Sequence, residues 1–62
     1  MTYKKGDRIA LVQTADPHTE LRPGDLGTVR RLDASLSTLY VTWDSGSTLS
    51  ILLDGGDEVR TA

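Results

Sequence analysis

Apolar and polar positions alternate along this chain in short runs, and Gly, Pro, Asp and Ser cut the runs apart. A period of two marks a strand whose successive side chains face opposite ways, and no stretch carries the spacing of an amphipathic helix. Residues 38–43 alternate most cleanly: Leu39, Val41 and Trp43 share one face, and Tyr40 and Thr42 the other. Residues 47–51 repeat the pattern with Leu49 and Ile51 inward. Residues 8–12 are apolar on both faces, which predicts a strand covered on both sides. In the strand predicted over 28–32, Val29 and Leu32 have opposite parity. Both can face the core only if a β-bulge falls near Arg30 or Arg31. Glu58-Val59-Arg60 is a short last strand.

The connections carry their own backbone chemistry. Gly46 in Asp44-Ser45-Gly46-Ser47 can take the positive φ of a tight hairpin. Arg22-Pro23-Gly24-Asp25 places Pro and Gly at the central positions of a type II turn. Leu52-Leu53 suits a short 3₁₀ turn ahead of Asp54-Gly55-Gly56-Asp57. The connection over 13–27 is long for so short a chain, with Leu21 and Leu26 expected to pin it, and long loops are disproportionately functional. Five short strands, a long first loop and a turn before the last strand describe an all-β, five-stranded SH3-like barrel, a single domain over 1–62. Its expected core is Ile9, Leu11, Leu26, Val29, Leu39, Val41, Trp43, Leu49, Ile51 and Val59.

Composition narrows the chemistry. The 62 residues include no Cys and no Phe, so neither disulfides nor cysteine-ligated metal is available. The longest apolar runs are far short of the ~20 residues of a membrane helix. With no secretory signal visible, the expected location is the cytoplasm and no membrane partner is expected. A net charge of −2 argues against a general nucleic-acid binder. The charge is uneven: residues 1–31 hold six basic and four acidic groups, residues 32–62 one basic and five acidic.

Lys5-Gly6-Asp7-Arg8-Ile9-Ala10-Leu11-Val12, followed by Gly24-Asp25-Leu26-Gly27-Thr28-Val29, resembles the opening grammar of KOW-like and other SH3-like barrels. Gly27 there permits close backbone approach. More specifically, Asp16-Pro17-His18-Thr19 and Trp43-Asp44-Ser45-Gly46-Ser47 resemble an uncharacterised family of small domains from actinobacteria, their phages and mobile elements. The likeness spans residues 6–53. It departs at Ala34-Ser35-Leu36-Ser37, where that family tends to place a Gly-containing turn. The resemblance implies a fold and an accessory role in a phage or mobile element, and it carries over no catalytic residue.

The residues themselves point to binding and not to catalysis. His18 is the only imidazole, and Asp16 and Glu20 alone make a poor zinc set, so no metal, cofactor or catalytic residue is expected. Asp54, Asp57 and Glu58 lack the ligand spacing of a calcium loop. Asp16-Pro17-x-Thr19 reads first as turn chemistry. By analogy with SH3-like barrels, the polar loop is nevertheless the best binding candidate, through Asp16, His18, Thr19, Glu20 and Arg22 with Tyr40 on the outer face. Trp43 shares the parity of Leu39 and Val41 and reads as core. The expected partner is another protein, met through the 13–26 and 33–38 loops, or a second copy in a homodimer. Nucleic acid is the second reading, with Lys4, Lys5, Arg22, Arg30 and Arg31 as phosphate contacts. The bland alternative for these cations is solvated charge paired with Asp25 or Asp33.

Overall fold

A computed structural model describes residues 3–62. It contains β1 (Arg8–Gln13), β2 (Leu26–Asp33), β3 (Thr38–Trp43), β4 (Ile51–Leu52) and β5 (Glu58–Thr61). They form one antiparallel sheet in the order β4-β3-β2-β1-β5, with no helix among the described residues. The all-β class and the five strands are as the alternation predicts. The sheet is not closed, however: β4 pairs only with β3 and β5 only with β1, which leaves two edges where closure was expected.

The shortness of β4 has a local cause. The Trp43 N–H bonds the Ser47 carbonyl at 3.0 Å, but the Leu49 N–H then turns to Ser47 Oγ at 3.2 Å. Trp43 Nε1 donates to the Leu49 carbonyl at 2.9 Å. Side-chain partners thus replace the ladder over 47–50, and strand pairing resumes only at Ile51. Leu49 is accordingly half-buried against the core instead of within it. The expected 3₁₀ turn is also absent. Leu53 to Gly56 form simple turns in which the Gly55 N–H meets the Leu52 carbonyl at 2.9 Å.

Parity decides who enters the core. Val29 pairs with Val41 and Arg31 with Tyr40, so Arg30 is the extra residue of a bulge, at the predicted place. The bulge resets the phase, letting Val29 and Leu32 both face inward. The same rule excludes Leu26, which is 41% exposed against expectation. Gly27 holds the inward slot beside it, and a Cβ there would lie 2.6 Å from Val41 Cγ1 and 2.8 Å from Trp43 Cε3. Trp43 packs through that space and is 1% exposed. Each such side chain contributes ~1.5–3 kcal/mol on burial. Ile9, Ala10 and Leu11 are all buried, so β1 is covered on both faces as predicted; Ala10 is flanked by its ladder partners Leu26 and Arg60. Tyr3 and Leu21 join the core; the Tyr3 burial was not expected, and its hydroxyl donates to the Val59 carbonyl at 3.3 Å.

Two turns of one design clamp the β1–β2 pair at opposite ends. In Lys4-Lys5-Gly6-Asp7 the Asp7 N–H returns to the Lys4 carbonyl, and the Asp7 carboxylate accepts the Lys4 N–H. Arg22-Pro23-Gly24-Asp25 makes the same two bonds, Asp25 N–H to the Arg22 carbonyl and Arg22 N–H to the Asp25 carboxylate. Gly6 and Gly24 have φ of 95° and 97°, a region an L side chain enters only at a cost. The first turn then exchanges bonds with Val29 of β2, and the second with Leu11 of β1. The reciprocal arrangement follows from an antiparallel pair entered at each end by one sequence, basic-x-Gly-Asp.

Candidate functional site

The long loop is shaped by polar side chains bonding main chain two residues on, as its turn chemistry predicts. Thr14 Oγ1 accepts the Asp16 N–H (3.2 Å), Asp16 Oδ1 the His18 N–H (2.9 Å), and Thr19 Oγ1 the Leu21 N–H (3.2 Å). Buried Leu21 anchors its far end. Asp57 anchors the near end: one carboxylate oxygen accepts Thr14 Oγ1–H and the Ala15 N–H, both at 2.8 Å. The other accepts the Leu52 N–H at 2.9 Å. Burial alone would raise the Asp57 pKa; the bonds from Leu52, Ala15 and Thr14 outweigh it and hold the carboxyl below its ordinary value.

Between this anchored loop and β4 lies an open groove of about 330 Å³, lined by Ala15, Asp16, Leu49, Ser50, Leu52, Gly55 and Asp57. Leu52 is 50% exposed. The 33–38 connection reaches the same stretch, because the Leu53 N–H bonds the Ser37 carbonyl at 2.9 Å. Leu36, in that connection, is 64% exposed.

The residues singled out by sequence are only partly gathered here. Asp16 lines the groove; Glu20 lies instead over a separate polar concavity with Ser45, Gly46 and Ser47. His18 is exposed, Thr19 is spent on its turn, and Arg22 sits in the clamp at the Leu11 end of β1. Tyr40 is not the open platform expected. It is half-buried, with Arg31 Cζ 4.5 Å from its ring centroid, and Arg31 also reaches Asp33 at 3.9 Å. Asp33 is held below its usual pKa, first by the Ser35 hydroxyl, against some desolvation, and then by the Leu36 and Ser35 N–H groups and by Arg31.

The five cations split. The Gly6–Val29 and Val29–Asp7 bonds set Lys4 and Lys5 beside Arg30 and Arg31. Arg22 lies at the other end of β2, about 15 Å away at ~3.3 Å per residue.

Sequence reading missed Leu52, Ser50 and Asp57 as groove residues and Arg8–Asp44 as a pair. Arg8 grips Asp44 with two bonds, 2.8 and 2.7 Å, and donates to Thr28 Oγ1 at 2.8 Å. Those bonds raise the Arg8 pKa and lower that of Asp44, with desolvation opposing each. The link ties β1 to the 44–46 hairpin and buries neither partner. Among the described residues no three of His, Asp and Glu converge to hold a metal, and no helix is long and apolar enough to cross a membrane.

Fold and groove together define a small all-β domain with an open, apolar-floored concavity. The chain belongs to the family described as "Domain of unknown function (DUF4314)", whose model matches residues 1–62. No curated protein and no solved structure matches it.

Proposed function

We propose that this domain is a non-catalytic binding module, SH3-like in plan, that receives a segment of another protein along the groove between its long loop and β4. The strand order β4-β3-β2-β1-β5 and the long β1–β2 connection support the SH3-like plan. One observation carries the binding reading: exposed Leu52 and half-buried Leu49 form an apolar floor in the groove where two loops meet. Apolar surface rimmed by polar groups marks interaction sites. In an accessory protein of a phage or mobile element, such a module would attach one component to another.

Nucleic-acid binding would draw instead on Lys4, Lys5 and Arg30. It is weaker because Arg22 lies apart and Tyr40 is already stacked under Arg31. Capture on the immobilised domain separates the two readings. Proteins retained by the wild type and by Lys5→Glu/Arg30→Glu, but lost with Leu52→Ser, are expected. Nuclease-sensitive capture that survives Leu52→Ser and vanishes with the charge reversal would overturn the proposal.

A further inference from the structure

The groove's backbone and charge specify its occupant further, on the footing of the binding reading above. β4 presents its outer edge to the groove. Ile51 pairs with Leu39 and the Leu53 N–H bonds Ser37, so the main-chain groups of Leu52 between them point away from β3, as does the Ser50 carbonyl, which lies opposite the Ile51 N–H in one peptide. Leu52 is already satisfied, its N–H by Asp57 and its carbonyl by Gly55. Ser50 is not: among the described residues neither its N–H nor its carbonyl has a hydrogen-bond partner. An open donor–acceptor pair beside an apolar floor is what an added strand requires. The charged groups lining the groove are Asp16 and Asp57, with no Lys, Arg or His among them.

We infer that the groove takes an extended, basic segment of a partner protein in which apolar and cationic residues alternate. One residue of that segment pairs its main chain with Ser50. Its apolar neighbour covers Ala15, Leu49 and Leu52, and a cation approaches Asp16. A second copy of this chain fits poorly, because symmetric docking would set one acidic rim against another. A polyproline helix fits poorly too, since no aromatic ring lines the groove.

The test is amide chemical-shift mapping on the full chain with three short peptides: alternating leucine and lysine, alternating leucine and glutamate, and the lysine peptide N-methylated at alternate residues. The lysine peptide is expected to shift Ala15, Asp16, Leu49, Ser50 and Gly55. N-methylation, which removes the strand's donors, should weaken binding about fivefold or more. Asp16→Asn should weaken it about threefold, as for an exposed ion pair. That variant keeps the oxygen that accepts the His18 N–H, so the loop stays built. Equal binding of the glutamate peptide in the groove, or indifference to N-methylation, would overturn this inference and leave the binding reading standing. If no peptide shifts the groove, and an oligonucleotide shifts Lys4, Lys5 and Arg30, both fail.

Discussion

The β1–β2–β3 sheet and the 47–57 stretch that leans on it are built from the same short alternating pattern but by different forces. In the sheet, Ile9, Leu11, Val29, Leu39, Val41 and Trp43 are fully buried, and the ladder is continuous apart from bulges. In the 47–57 stretch the ladder shrinks to Ile51–Leu52, and Ser47, Trp43 Nε1 and the Asp57 carboxylate take over its backbone groups. A side-chain latch near solvent is easier to open than a packed ladder, so local unfolding should begin there. The sheet supplies stability, and the stretch supplies an adjustable surface.

The sharpest way to break the sheet is at its largest buried side chain. Trp43→Ala should cost ~3–5 kcal/mol, much of the stability of so small a domain. Chemical denaturation should then find a largely unfolded protein. Gly27→Ala attacks the same place from the opposite strand. The added methyl would gain ~0.5–1 kcal/mol from backbone entropy. Pressed against Val41 and the Trp43 ring it should lose ~1–3 kcal/mol. A net loss is expected, with Gly27→Val worse.

Breaking the latch should do less, and differently. Asp57→Ala removes the acceptor for Thr14, Ala15 and Leu52, at a cost of about 1–3 kcal/mol. Hydrogen exchange should rise at Ala15 and Leu52 while the β2–β3 amides stay protected. The same carboxylates set the acid limit. Asp33, Asp44 and Asp57 all sit below their ordinary pKa, so the folded state binds fewer protons than the unfolded one. Their contribution is complete above the unfolded carboxylate pKa of ~3.9 and is lost as pH falls below it. The denaturation midpoint should be level from about pH 7 to 5 and fall below about pH 4, less steeply in Asp57→Asn. A midpoint that climbs toward acid would refute this assignment.

What could be read from sequence follows the same division. Parity is local, so β1, β2, β3, β5 and the Arg30 bulge were legible, whereas the strand expected over 47–51 survives only at Ile51. Leu26 was misplaced only because the inward slot at Gly27 looks empty in a sequence of side chains. The latch was illegible for a physical reason: Asp57 meets Thr14 across 43 residues, and Arg8 meets Asp44 across 36. Neither pair has a sequence period. Asp16 was singled out because it lies in the long polar loop, whereas Leu52 and Ser50 became site residues only because β4 is cut short.

The smallest expected effect lies where the two regions join. Ser37 has φ 48°, the one positive value at a non-glycine among the described residues. Its carbonyl holds the Leu53 N–H, so its conformation aims the bond that ties the 47–57 stretch to the sheet. An L side chain in this region costs ~1–2 kcal/mol. Glycine removes that cost but adds ~0.4–1 kcal/mol of unfolded-chain entropy. Ser37→Gly should therefore stabilise by about 0.5 kcal/mol or slightly more, and Ser37→Asn by less, since Asn tolerates this region. Ser37→Val, branched at Cβ, should destabilise. Denaturation midpoints in the order Gly, Asn, Ser, Val would identify backbone strain as the cause. A Val variant as stable as wild type would show that the connection reshapes freely and does not hold the stretch in place.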